Sequence, residues 1–260
     1  MARTTFRLPA DRFDALLGLD IRAVDLDLIV EAVEDLAEIT VELTGPADVV
    51  EGASAREDQM WTIDVPAPAA GTSTAIFSGG NVVNRHYGGG SVIQAGNVYG
   101  AVVFNGRQHV VSNQQLGNQR LAEPVRAVAR VPRASVLSTN ITAGSARVRG
   151  LLSSVTVIGQ STDAHIEHAN HVEVNTTSGD TTIMRVEVCA IVHTVSGDIS
   201  VRSGGSADTL RAVSGDITYA AGTQDSRLCA STVSGDVTVV RRGYQMTTQA
   251  SSVSGSVRQR

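Results

Sequence analysis

Through the second half of the chain, apolar and polar residues alternate with a period of two. Short Ser-Gly-Asp phrases interrupt the alternation at near-constant intervals. Ser178-Gly179-Asp180 recurs as Ser196-Gly197-Asp198, Ser214-Gly215-Asp216 and Ser234-Gly235-Asp236, and then as Ser254-Gly255-Ser256, at spacings of 18, 18, 20 and 20 residues. Fainter copies, Gln160-Ser161-Thr162-Asp163 and Thr142-Ala143-Gly144-Ser145, lie one and two periods earlier, so seven coils fill residues 135–260. After each Gly, the second and fourth positions are mostly apolar: Ile199 and Val201, Ile217 and Tyr219, Val237 and Val239. Before each Gly, the third and fifth positions are small or apolar: Thr194 and Val192, Ala212 and Leu210, Thr232 and Ala230, Ser252 and Ala250. Period two on both sides of a fixed turn predicts two short strands per coil. The fold class is therefore all-β, a β-solenoid (β-helix) of about 18–20-residue coils stacked about 4.8 Å apart. Equivalent residues should form ladders. One such ladder, Val195, Val213, Val233 and Val253 at the turn entry, is expected to be internal, so that Val213→Asp would bury an unpaired charge.

The front of the chain fits two patterns. Leu26, Ile29, Val30, Val33 and Leu36 make a helical stripe, whereas Val24, Leu26, Leu28 and Val30 alternate. Ile39, Val41 and Leu43 alternate cleanly, which favours strands. These strands should cover the N-terminal end of the solenoid, whose open edge would otherwise recruit other strands. At the C-terminal edge only Arg258 and Arg260 act as gatekeepers.

Composition adds several exclusions. Hydrophobic residues make up 42% but aromatics only 3%, so the core must be filled by Val, Ile, Leu, Ala and Thr. The chain has no lysine, which removes a P-loop lysine and a Schiff-base lysine. A net charge of −5 argues against nucleic-acid binding. Residues 1–68 carry a net −10 and residues 69–260 a net +5, a split that suits packing within the chain or end-to-end association. No signal peptide opens the sequence and no apolar run reaches membrane-spanning length, so a cytoplasmic location without membrane insertion is expected. Cys189 and Cys229, at non-equivalent phases, read as free thiols, and His165, His168 and His171 as surface residues.

The Gly and Asp of each repeat (Gly179 and Asp180, Gly197 and Asp198, Gly215 and Asp216, Gly235 and Asp236) should stack in columns. Acidic columns with Gly-rich turns can bind calcium, but such rolls need ligands in both turns of a coil. The opposite turns here, around Ser203-Gly204-Gly205, Gly222-Thr223-Gln224 and Arg242-Gly243, carry no regular acid. A structural role in the turn follows, with no metal and no cofactor. No nucleophile elbow, phosphate loop or catalytic carboxylate pair is present, so the protein is read as a non-enzyme.

The repeated Thr-Val-Ser-Gly-Asp-Ile/Val-Thr-Val phrase resembles the putative-adhesin β-repeat family of bacteria. Leu26–Glu31, Glu38–Leu43 and Trp61–Pro66 resemble its opening strands. The resemblance implies a β-solenoid and a non-enzymatic role. Three regions follow: 1–68, an acidic β region; 69–120, a Gly/Asn/Gln-rich insert without any acid; and 121–260, the solenoid repeats.

The insert allows two readings. Its centre, Gly90–Phe104, combines high β-propensity with no proline and a glutamine between apolar residues, features of a segment that stacks on itself. Val92, Ile93, Gln94, Gly96, Asn97, Val98, Gly100 and Val102 are the candidate self-association residues. This core resembles the homotypic-interaction amyloid motifs of actinobacterial signalling proteins. The other reading is a Gly-rich extension of the solenoid. The functional expectation is a self-associating structural scaffold. The alternative is a signalling module assembling through residues 90–106, so the expected partner is the protein itself or one with a similar motif.

Overall fold

The computed structural model describes residues 1–67, 74–78, 81–85, 101–104, 107–110 and 124–260. In chain order the front elements are β1 (Ala2–Pro9), α1 (Ala10–Phe13), β2 (Leu19–Val33), β3 (Glu38–Gly45), α2 (Ala47–Glu51), β4 (Ser54–Glu57) and β5 (Trp61–Val65). Two hairpins follow, β6 (Thr74–Ser78) with β7 (Asn81–Arg85) and β8 (Ala101–Phe104) with β9 (Arg107–Val110). The remaining strands are β10 (Arg126–Pro132), β11 (Val136–Ser178), β12 (Thr181–Ser196), β13 (Ile199–Gly204), β14 (Ala207–Ser214), β15 (Ile217–Ala221), β16 (Ser226–Ser234), β17 (Val237–Val240), β18 (Met246–Ser254) and β19 (Val257–Gln259). The protein is thus nearly all β, a β-solenoid-like stack of parallel strands in one open sheet system.

Register follows the repeat. Thr181 pairs with Ile199, Ile199 with Ile217 and Ile191 with Thr209, at the narrower of the two motif spacings. Ala207 then pairs with Arg227, Ile217 with Val237 and Val237 with Val257, at the wider one. Because neighbours are parallel and in phase, each rung places like residues above like. Ile199, Val201, Ile217, Tyr219, Val237 and Val239 are all buried, as are Val192, Leu210 and Ala230 facing them. The core is a narrow slot between these two faces, filled by short aliphatic side chains and hydroxyls.

One ladder is oriented opposite to the sequence expectation. Val195, Val213 and Val233 are 47%, 45% and 46% exposed, and Val253 81%. Each valine follows an inward residue (Thr194, Ala212, Thr232 or Ser252), and adjacent residues of a strand face opposite sides. The internal column is therefore the small-residue one, and the valines form an outward stripe.

The front of the chain is built from strands. In β2, Leu26, Leu28 and Val30 are buried while Val33 is exposed, as alternation requires and a helical stripe does not. β2 is itself a rung: its residues 19–31 pair in parallel with 137–149 of β11. On its other side, β5 pairs with residues 19–23 and β10 with 27–33. β5 and β10 thus make one further rung, paired with β2 on either side of Val24–Leu26. Antiparallel β3 and β1 close this end beside β10, and α1 and α2 bury Phe13, Val49 and Val50 against it. Exposed Arg7–Glu38 and Arg130–Glu31 pairs line the same surface. At the far end β18 and β19 pair, among the described residues, on one side only, with β16 and β17.

The reversed ladder gives a paired test in denaturant melts. Ala212→Asp, at a buried position, should cost several kcal/mol. Val213→Asp, one residue on and half exposed, should cost less than about 1 kcal/mol.

Candidate functional site

The Ser-Gly-Asp turns form a continuous hydrogen-bonded column. Asp163 Oδ1 accepts the backbone N–H of Asp180 at 2.9 Å, and Asp180 Oδ1 that of Asp198 at 2.9 Å. Asp198 caps Asp216, Asp216 caps Asp236 and Asp236 caps Ser256, each at 2.8 Å. Main-chain bonds run alongside, from Gly179 N to Ser196 O at 3.0 Å and from Ile199 N to Asp216 O at 2.9 Å. The glycines are required twice over. Gly197 and Gly215 have φ of +145° and +149°, and a Cβ at either would lie 2.1 Å from the carbonyl oxygen of the glycine one rung before. Only a bare α-carbon permits that approach.

The column reaches further back than the repeated motif. Ser145 Oγ donates to Asp27 Oδ1 at 2.9 Å, so a front-strand aspartate heads the series. Leu26-Asp27-Leu28 contains neither Ser nor Gly, which is why the motif does not reveal it. From Asp163 to Asp236 each step engages one carboxylate oxygen with a backbone donor, whereas Asp27 is met by a hydroxyl. The array can therefore fix turn geometry and rung spacing, with one acid in each of the rungs from Asp163 to Asp236.

The opposite turn holds a second polar centre that sequence reasoning missed. Asp208, 3% exposed, accepts hydrogen bonds from Ala190 N at 2.7 Å, Gly205 N at 2.8 Å and the Tyr219 hydroxyl at 2.8 Å. Burial pushes the Asp208 carboxyl above its usual range, against the three hydrogen bonds that favour its charged form. Burial, then the nearby carboxylate, raises the Tyr219 phenol well above its ordinary value. Tyr219 occupies a column position held by Val201 and Val239 in adjacent rungs. It fits because Gly204 has no side chain: a Cβ there would lie 2.1 Å from the phenolic oxygen. A tyrosine breaking a valine column near a Gly-Gly turn was the available signal.

Other sequence candidates scatter. His165 and His171 are exposed, while His168 contacts Glu187 at 2.7 Å, and Arg185 also bonds Glu187 at 2.6 Å. Arg185 and then His168 hold the Glu187 carboxyl below its usual range. Cys189 and Cys229 are both free thiols. Among the described residues no group of three His, Cys, Asp or Glu side chains is placed to hold a metal. Nor is any helix there long and apolar enough to cross a membrane. Val92, Ile93, Gln94, Gly96, Asn97, Val98 and Gly100 lie outside the described residues, and Val102 falls in β8.

Two outcomes follow. Asp216→Asn keeps an acceptor for Asp236 N and should melt near the wild type, whereas Asp216→Ala should cost on the order of 1 kcal/mol. Both proteins should melt identically in excess chelator and in millimolar calcium. Asp208 gives a pH test. As pH rises, the unfolded chain loses this proton near 4 while the folded chain holds it longer. Asp208 thus makes stability fall with rising pH between those two values. Asp208→Asn should remove that slope and lower stability by about 1–3 kcal/mol, since an amide NH2 would face a buried donor.

No curated protein matches the chain at a significant level. Two solved structures share its fold. A putative adhesin from Bacteroides fragilis NCTC 9343 aligns with a TM-score of 0.57 at 11% identity, covering 100% of this chain and 97% of that one. A putative lipid binding protein from Parabacteroides distasonis ATCC 8503 aligns with a TM-score of 0.50 at 12% identity, covering 99% and 96%. With the Toastrack DUF4097 model matching residues 128–260, from within β10 through β11 to β19, the chain belongs to the Toastrack DUF4097 family.

Proposed function

We propose that this chain is a non-enzymatic structural protein: a β-solenoid scaffold of 18–20-residue coils that associates end to end. The observation that carries this reading is the pairing of β18 and β19 on one side only among the described residues, which leaves a row of main-chain donors and acceptors without a partner among them at one end of the sheet. Charge gives the association a direction. Arg241, Arg242, Arg258 and Arg260 surround that edge, while the opposite end belongs to the segment of net −10. A contact between two unlike surfaces is heterologous and need not close, so repetition yields filaments.

A second reading, a signalling module assembling through residues 90–106, draws support from the strands that flank the insert in sequence: β5 and β10 pair with adjoining stretches of β2, so both attachment points lie on one rung.

Sizing and negative-stain microscopy of the chain with and without residues 77–111, at low and high salt, separate the readings. End-to-end association should survive the deletion and dissolve in about 1 M salt, where the screening length falls to about 3 Å. Loss of assembly on deletion alone would transfer the role to the insert. A monomer under all conditions would overturn both readings.

A further inference from the structure

The outward valine stripe has no role in holding the stack, because its members face away from the core. Val195, Val213, Val233 and Val253 sit on consecutive strands β12, β14, β16 and β18, one per rung. Exposed apolar residues are usually scattered singly; a contiguous column is a contact surface. The four strands that carry it, over about 8–9 residues each, span about 500–570 Å² at a strand spacing of about 4.8 Å and a rise of about 3.3 Å per residue. That is about two-thirds of the roughly 800 Å² per partner of a standard interface.

We infer that this stripe is a lateral seam for a second copy of the chain, with the two stacks side by side and parallel, related by a twofold axis along the stacking direction. The seam deepens the self-association reading by naming an interface distinct from the sheet edge. The first argument is period. The valines repeat at the rung spacing of about 4.8 Å, whereas alternate residues of an extended peptide repeat at about 6.6 Å, and a helix repeats at about 5.4 Å per turn. An identical stack meets all four valines in phase, and two apolar sheet faces pack about 10 Å apart.

Charge selects the orientation. On one side of each valine, two residues back, lies a column containing His193 and Arg211. On the other side, three residues on from Val195, Val213 and Val233, lies the aspartate column of Asp198, Asp216 and Asp236. A twofold axis along the stack sets each Arg211 against its partner's aspartate column. An antiparallel arrangement would set acid against acid and Arg211 against its like. The acidic end caps would then lie side by side, but beyond a screening length of about 8 Å their repulsion is small.

Sedimentation velocity over a concentration series tests the seam. The double variant Val213→Arg, Val233→Arg should raise the dimer dissociation constant at least tenfold while leaving circular dichroism and melting temperature unchanged. Arg211→Glu should weaken the dimer in the same way. In a Cys189→Ser, Cys229→Ser background, Val195→Cys, Val213→Cys and Val233→Cys should each be joined to the same residue of a second copy by a short bis-maleimide, since facing α-carbons about 10 Å apart are too far for a disulfide. A wild type monomeric to about 1 mM would overturn the seam, as would a dimer indifferent to the arginine substitutions. Cross-links only between unlike positions would overturn the parallel arrangement. End-to-end assembly depends on β18 and β19 and on salt, so it can fail while the seam holds, or persist while the seam fails.

Discussion

Everything in this fold rests on how closely one turn of main chain lies over the next. At the Gly179, Gly197, Gly215 and Gly235 column the backbones approach so nearly that any side-chain carbon would collide with the carbonyl below. That constraint fixes the residue and its left-handed conformation, and with them the rung spacing. The aspartates complete the turn by accepting the next rung's amide, which would otherwise be left without a protein partner at a bend where strand pairing lapses. Once the turn is set, period two dictates which residues enter the slot, and a slot this thin admits Val, Ile, Ala and Thr but few rings.

Departures from the repeat show what the slot tolerates. Tyr219 enters a valine column only where Gly204 vacates the space and Asp208 receives its hydroxyl. Thr194 keeps a buried hydroxyl with no partner, while Thr232, two rungs on, donates to Gly215 O at 3.1 Å. The small-residue column is therefore a compromise between volume and hydrogen bonding, and its members differ in what each contributes. The rim of the stack is ordered by the same periodicity, which lines up valines outside as strictly as it lines up isoleucines inside.

Much of this was legible in the sequence. The spacing of Ser-Gly-Asp identified the C-terminal rungs, their phase and the core positions inside them, because a parallel in-register stack repeats its environment once per coil. The valine ladder was misplaced because its hydrophobicity outweighed its position next to a small inward residue. Asp27 and Asp208 were invisible for another reason. Each acts through partners far away in sequence (Ser145 for the first, Ala190 and Tyr219 for the second), and neither stands in a repeated phrase. The merging of front and back halves was equally hidden, since β2 gives no local sign that its partners are residues 137–149.

The interrupted rung made by β5 and β10 governs the order in which the molecule can assemble. Neighbouring repeats meet across a single coil of chain, but β2 must find β11 across the whole insert, as Leu19 pairs with Leu137. Closing the longer loop costs about 1.7 kcal/mol more in chain entropy. Contacts among the C-terminal rungs therefore form first and offer a finished edge. The front strands dock on that edge afterwards, and β10 must be in place before the β1–β3 pair can join the sheet. The N-terminal part of the chain, though made first, is the last to be shaped, and the stack serves as the template on which its own lid is cast.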